Sequence, residues 1–333
     1  MSSSTSGSHW KSVDNEFRNK VDNIFHKYPK LPKTLPREDR PNVTSYPLNV
    51  TLYGYSLPLR IGSEVSVKNY NTFLDRNEKT GYKFSWDEGN VYIIEMAIPE
   101  HEAVVSYLQD CFKEPNNGVR RGPIRVYGSP YHYNPIRYGE KIAPDVAVRP
   151  SNAHVLQPLI RHPGPPPSDM NGRAHARVIC EIGNSQTIIS WNERCELWMR
   201  EEYVRCVLGI KLFSKKIIGE TVHRQMIARL WTRVVQGGGE LSSNATLARA
   251  GVYVKEWDFG TIQYNNNAPT PTGCNALNLN AFQITIPIAD AFYDPPIVGG
   301  VPTPYAILVP GTVVGVNFVI DLFDVQQVVL ESQ

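Results

Sequence analysis

A short and almost wholly apolar stretch that carries one acidic residue constrains this chain most strongly. Residues 178–182 read Val-Ile-Cys-Glu-Ile, and a second largely apolar run covers 204–213. Runs of this length and composition are typical of strands buried in the centre of a sheet. Burying the carboxylate of Glu181 in such a strand is costly unless another group pairs with it. We therefore expect a buried sheet that also provides a partner for Glu181.

The segments around this strand predict a mixed α/β architecture. Pro99 and two glutamates precede an apolar face at helical spacing, which predicts a helix over 100–112. Short strands are predicted over 124–127, 144–148 and 176–182, followed by a helix over 191–203 and a strand over 204–213. This order, helix, three strands, helix and strand, is typical of an α/β domain with a mixed sheet. An upstream hairpin is predicted over 81–97, and further strands over 225–235, 251–257 and 282–287.

Composition divides the chain into three regions. Residues 1–47 form a tail with a helix predicted over 12–28 and a proline-rich linker, residues 48–220 form the α/β core, and residues 221–333 form a strand-rich extension. The chain has 333 residues, of which 41% are hydrophobic. That fraction is enough to build a core and excludes disorder along the full length.

The sequence also excludes several classes of protein. No stretch approaches the roughly 20 apolar residues of a membrane span, and the serine-rich N-terminus has no apolar secretory core. Five scattered cysteines lack the spacing of a zinc site, and we interpret them as reduced. We therefore expect an intracellular protein. Its net charge of +2 gives no overall attraction to nucleic acid, so any such binding must come from a local patch.

Two carboxylates indicate where chemistry takes place. Asp145 opens one predicted strand, and Glu181 lies within a later one. Two acids on neighbouring strands repel each other, and a divalent cation with hard oxygen ligands, Mg²⁺ or Mn²⁺, removes that repulsion. Such a cation can activate water and neutralise charge on a phosphodiester. The other interpretation is two unrelated acids at strand ends.

Three segments carry a resemblance to a known superfamily. These are Tyr82–Ile94 with Pro99-Glu100-His101, then Ala143–Val148, and then Val178–Thr187. Together they resemble the PD-(D/E)xK nuclease superfamily, and within it the bacterial family of restriction-endonuclease-like proteins. The resemblance covers roughly residues 65–215. It implies a restriction-endonuclease-like αβββαβ core, with Asp145 and Glu181 as catalytic residues that bind Mg²⁺ or Mn²⁺.

The sequence departs from the superfamily pattern at one important position. The E-x-K motif would place a lysine at position 183, where this chain has Gly183. Some members supply the cation from the next helix, and Arg194 is the best candidate here, as a contact to phosphate or water. Arginine stays protonated and cannot act as a base. The other interpretation of Arg194 is an exposed helical arginine.

Other polar residues leave alternatives open. His101 is either a base or metal neighbour, or a structural histidine. Ser185 and Gln186 either cap the following helix or contact substrate. Lys211, Lys215 and Lys216 end a strand, and they either meet a phosphate or form a solvated end of the sheet.

The resemblance implies a metal-dependent nuclease that hydrolyses the phosphodiester bonds of DNA. Because nucleases that cut both strands often pair, it also leaves a homodimer open. The alternative is a catalytically degenerate nuclease fold that acts as a binding or scaffolding module, since Gly183 replaces the motif lysine.

Overall fold

We analysed a computed structural model of the protein. The structure describes residues 51–52, 55–77, 81–137, 139–155, 158, 167–235, 237–265, 268–299 and 301–333. The chain divides into two compact units, residues 1–96 and 97–333. The predicted helix over 12–28 and the proline-rich linker lie outside the described residues.

The described residues of the first unit form one helix and two small antiparallel sheets. Its strands are β1 (Thr51–Leu52), β2 (Tyr55–Ser56), β3 (Leu59–Gly62), β4 (Tyr82–Asp87) and β5 (Asn90–Met96), and its helix is α1 (Val67–Asn77). The predicted hairpin is β4–β5, and Glu88 and Gly89 form its two-residue loop with φ values of 45° and 88°. Two successive positive φ values match the twist of a tight hairpin, and the second falls on glycine.

The second unit contains the large sheet and the remaining helices. Its helices are α2 (Pro99–Lys113), α3 (Ile188–Trp198), α4 (Ala245–Arg249) and α5 (Leu322–Glu331), and short 3₁₀ helices cover Glu114–Asn116, Asn280–Phe282 and Ile288–Phe292. Its strands are β6 (Ile124–Gly128), β7 (His132–Tyr133), β8 (Lys141–Ile142), β9 (Val146–Pro150), β10 (Val178–Gly183), β11 (Cys206–Leu212), β12 (Lys216–Ile218), β13 (Thr221–His223), β14 (Met226–Thr232), β15 (Glu240–Leu241), β16 (Tyr253–Asp258), β17 (Gln263–Asn265), β18 (Ala268–Thr270), β19 (Gln283–Pro287), β20 (Ile297–Val298), β21 (Val301–Pro302) and β22 (Asn317–Asp321).

Seven strands form one mixed sheet. Their order is β15-β16-β14-β11-β10-β9-β6, with β10 and β11 parallel and each other neighbouring pair antiparallel. Helix α3 is the crossover between the two parallel strands, as such a connection requires. Strands from the predicted C-terminal extension, β14, β15 and β16, lie in the same sheet as the predicted core.

Apolar side chains cover both faces of this sheet. On one face α2, α5, β19 and β22 pack over alternate residues such as Val178, Cys180 and Ile182. On the other face Trp191, Cys195 and Trp198 of α3 pack against Ile179 and Val207, with Leu247 of α4 in the same cluster. Glu181 alternates with its neighbours along β10 and therefore belongs to the α3 face.

The predicted fold class is confirmed. The described chain is α/β with one large mixed sheet. The helix predicted over 191–203 instead covers Ile188–Trp198, and Thr187 caps its N-terminus. In the described part of the chain, no helix is long and apolar enough to cross a membrane.

Candidate functional site

Asp145 directly precedes β9 and lies beside the part of β10 that contains Glu181. The pairing of β9 with β10 ends at Val146 and Cys180, and next to it Asp145 N donates to Cys180 O at 3.0 Å. The Asp145 side chain then accepts a hydrogen bond from Ile182 N at Oδ2, at 2.7 Å. These two bonds lie on either side of Glu181 along the strand. The structure thus brings the two predicted acids onto adjacent strands.

His101 contacts Asp145 from the first turn of α2. Its Nε2 lies 3.5 Å from Asp145 Oδ1, and its Nδ1 lies 3.0 Å from Glu102 Oε1. The hydrogen bond from His101 contributes most to holding the pKa of the Glu102 carboxyl below its usual value, against the effects of burial and of Asp145. His101 is buried, so its ring joins a buried carboxylate to a more exposed one.

The Glu181 carboxylate has partners from helix α3. The residue is 1% exposed. Its Oε1 accepts a hydrogen bond from Trp198 Nε1 and lies 3.3 Å from Arg194 Nε. The indole of Trp191 also donates to the backbone oxygen of Glu181, at 3.3 Å. Helix α3 therefore supplies both the charge and the hydrogen bonds that make burial of this acid tolerable.

Arg194 bridges the two segments that carry the acids. While its Nε contacts Glu181, its Nη2 donates to Ala143 O at 2.9 Å, two residues before Asp145. Its guanidinium carbon also lies 5.5 Å from the centre of the Trp198 ring. The interpretation of Arg194 as an exposed helical arginine is wrong, because only 11% of its side chain is exposed to solvent.

Lys211 fills the space beside Gly183. The two residues are register partners on the parallel strands β10 and β11. A Cβ atom at position 183 would lie 2.7 Å from Trp191 Cδ1 and 3.4 Å from Lys211 Cδ. The Lys211 ammonium is buried and donates to the backbone oxygens of Gly183 and Asn184, at 3.3 and 2.9 Å. The solvated sheet end suggested for this lysine is therefore wrong.

The polar turn after β10 does not cap α3 through Ser185 or Gln186. Thr187 is the N-cap, and its side-chain oxygen accepts from Ser190 N at 3.1 Å. Ser185 and Gln186 are both buried. Gln186 Oε1 has no hydrogen-bond partner in the described structure. The capping interpretation is wrong because Thr187, and neither Ser185 nor Gln186, occupies the N-cap position.

A second charged network, which the sequence did not suggest, lies at the same end of the sheet. Glu100 Oε1 accepts from Arg224 at 3.2 Å and from Lys215 at 2.9 Å, and Arg224 also donates to Asn184 Oδ1 at 2.7 Å. Burial acts to raise the pKa of the Glu100 carboxyl, but Lys215 and Arg224 outweigh burial and hold that pKa below its usual value. The sequence signal was weak, since Glu100 looks like an ordinary first-turn acid.

The donor chemistry of the two acids fits a hard divalent cation. Mg²⁺ is commonly held by one or two carboxylates, with water and substrate phosphates completing its shell. Asp145 and Glu181 provide two carboxylates on adjacent strands. In the part of the chain that the structure describes, no group of three or more His, Cys, Asp or Glu residues is placed to hold a metal.

Comparisons with solved structures show a distant structural likeness. No family model matches the chain, and no curated protein matches it. A crystal structure from Anabaena variabilis, described as "a putative nuclease belonging to DUF820", is similar over 44% of this chain and 74% of that chain, with 12% sequence identity and a TM-score of 0.32.

Proposed function

We propose that this protein is a metal-dependent nuclease that hydrolyses phosphodiester bonds in DNA. The observation that carries the proposal is the position of Arg194, whose guanidinium contacts Glu181 and the backbone two residues before Asp145. The chain thus supplies a cation beside Glu181 although position 183 is glycine. A fixed cation at this place can stabilise the charge that develops on a phosphoryl group during hydrolysis.

Five residues have roles in the proposed hydrolysis. Asp145 and Glu181 would hold Mg²⁺ or Mn²⁺, which supplies Lewis-acid activation of water and charge neutralisation at the phosphate. Arg194 binds a phosphate oxygen or orients the water, and it remains protonated throughout. His101 positions Asp145 from α2, because its Nε2 lies 3.5 Å from Oδ1. Trp198 fixes the Glu181 carboxylate through its indole N–H.

The first experiment measures cation binding by calorimetry. Mg²⁺ and Mn²⁺ are titrated into the wild-type protein, into Asp145→Ala and Glu181→Ala, and into a control, Glu240→Ala. Glu240 is an exposed acid on β15. We expect heat of binding in the wild type and the control, and loss of that heat in the two site variants. Absence of binding in the wild type would contradict the proposal.

The second experiment measures cleavage of plasmid and linear DNA with Mg²⁺, with Mn²⁺ and with a chelator. Removal of one preorganised charge-stabilising group typically lowers turnover by about 10²–10³-fold, which we expect for Arg194→Ala. Arg194→Lys keeps the charge without the planar fork, and should restore part of that loss. Circular dichroism of each variant separates lost activity from lost folding.

A second candidate is a catalytically degenerate fold that acts as a binding or scaffolding module. The observation that favours it is the nearly complete burial of Glu181, whose Oε1 already accepts from Trp198 and lies beside Arg194. In that case the acid stabilises the fold only. Glu181→Gln would then lower stability, while the wild type would neither bind cations nor cut DNA.

A further inference from the structure

Two arginines lie directly opposite each other on β6 and β9, at the end of these strands that is farther from Asp145. Arg125 on β6 and Arg149 on β9 are register partners, whereas Asp145 directly precedes β9 at the other end of the same pairing. The separation along β9 is about 13 Å, at about 3.3 Å per residue. Like charges placed opposite each other on antiparallel strands are destabilising. The repulsion between Arg125 and Arg149 therefore needs an interaction that offsets it.

Tyr127 contacts the guanidinium groups of Arg149 and of another arginine, Arg173. Arg149 Cζ lies 4.9 Å and Arg173 Cζ 5.6 Å from the centre of the Tyr127 ring, and Arg149 Nη2 donates to the Tyr127 hydroxyl at 3.0 Å. Tyr127 is two residues from Arg125 and faces the same side of the sheet. Two arginines therefore contact one aromatic ring, and a third, Arg125, lies opposite one of them, Arg149.

Acidic partners do not neutralise this cluster. In the described part of the chain, no ion pair joins an acid to Arg121, Arg125, Arg149 or Arg173. The acid nearby is Asp169, whose Oδ1 accepts from the backbone N–H groups of Asn171 and Arg173. Burial lowers the pKa of Arg149, and the charge of Arg173 adds to this, against the effects of Tyr127 and Asp169. Excess positive charge thus remains at this end of the sheet.

Arg121 and Arg125 line an open cleft, and Arg149, which lies opposite Arg125, has a buried donor. The cleft has a volume of about 320 Å³, and its lining includes Arg121, Arg125, Ser151 and His154. Arg149 is buried, and its Nε has no hydrogen-bond partner in the described structure. A buried N–H without an acceptor is costly, and an anion entering beside it would satisfy it.

We propose that Arg121, Arg125, Arg149 and Arg173, with Tyr127, bind phosphate groups of a nucleic-acid backbone. Arginine presents a planar fork of donors that matches phosphate oxygens, and phosphate contacts position nucleic acid on a protein. Tyr127 orients the forks of Arg149 and Arg173. The inference rests on the proposed function for the identity of the ligand, and it adds a binding site remote from Asp145 and Glu181.

The test measures binding of fluorescein-labelled duplex and single-stranded DNA by anisotropy, in the presence of a chelator so that cleavage cannot occur. Full-length wild type is compared with Arg125→Gln/Arg173→Gln, because Arg149 is hydrogen-bonded in the core and its loss could disturb folding. The control is Arg249→Gln, which removes the charge of an exposed arginine on α4. Kd is measured over a series of NaCl concentrations, and inorganic phosphate is tested as a separate ligand.

We expect the double variant to bind DNA more weakly and to lower the slope of log Kd against log salt by about 1 for each arginine removed. The Arg249→Gln control should retain the wild-type slope. Unchanged Kd and slope in the double variant would overturn the inference, as would binding of inorganic phosphate without binding of DNA. DNA binding that depends on the arginines, in a protein that never cuts DNA, would support this site while contradicting the nuclease.

Discussion

Lys211 and Gly183 lie opposite each other on parallel strands, and the lysine ammonium donates to the glycine carbonyl oxygen at 3.3 Å. The stem of Lys211 and the ring of Trp191 occupy the space that a side chain at position 183 would need. The absence of the motif lysine therefore has a steric counterpart in the structure, because neighbours already fill its place.

This packing predicts the effect of adding one methyl group. Gly183→Ala places a Cβ 2.7 Å from Trp191 Cδ1 in a buried cluster, so we expect a loss of about 1–3 kcal/mol in the free energy of unfolding. Gly237→Ala is the matched control, since nothing lies within 4 Å of its Cβ. Urea denaturation measures both variants. Equal stability of the two would contradict the packing described here.

The contact between Arg194 and Glu181 predicts strong coupling in a double-mutant cycle. Removing one partner of a buried pair leaves the other charge uncompensated, so Arg194→Ala should cost about 3 kcal/mol. Combining it with Glu181→Ala should cost less than the sum of the single changes, because no buried charge is then left alone. Additive costs, measured by urea denaturation, would show that the two side chains do not interact.

The lowered pKa of Glu100 predicts a pH dependence with a defined sign. The carboxyl binds its proton less readily in the folded than in the unfolded chain, so its contribution to stability is present above about pH 4.5, near its unfolded pKa, and is lost as pH falls through its lowered folded pKa. The difference in Tm between wild type and Glu100→Gln should therefore shrink on acidification. The same comparison with Glu240→Gln, an exposed acid, should show little change with pH. A difference that grows on acidification would contradict the network around Glu100.

His132 predicts a second pH effect, at higher pH. Burial lowers its pKa to about 4, against the effect of the Pro130 carbonyl, which accepts from its ring at 2.8 Å. The folded protein thus resists protonation, and this histidine makes stability fall as pH drops from about 6.5, the unfolded pKa, toward 4. Histidine ring signals in NMR should show one ring that stays neutral down to about pH 4 in the folded state. The same ring should titrate near 6.5 in urea, and an ordinary titration in the folded protein would contradict its burial.

The predictable and unpredictable parts of this protein differ in the range of their interactions. The order of helices and strands follows from local apolar periodicity, and the structure confirms it for α2, β6, β9, β10, α3 and β11. The hydrogen bond from Trp198 to Glu181 could not be predicted. A strand pattern shows that an acid is buried, but it does not show that an indole donates to it.

The remaining contacts could not be predicted, because they depend on how distant segments pair in the fold. Arg125 and Arg149 are distant in sequence and become neighbours only through the pairing of β6 with β9. The Glu100 network likewise joins residues from α2, from the turn after β10 and from the loops around β12 and β13. Patterns within one segment carry no information about such pairings, so the sequence could not indicate either cluster.

The parallel pairing of β10 with β11 keeps much of the candidate site local in sequence. Glu181, the two α3 residues that contact its carboxylate, and Lys211 all belong to one continuous strand–helix–strand segment, Val178–Leu212. These four residues can therefore meet within one supersecondary unit. Asp145 and His101 lie outside that segment, so their positions depend on how the start of β9 and helix α2 pack against it.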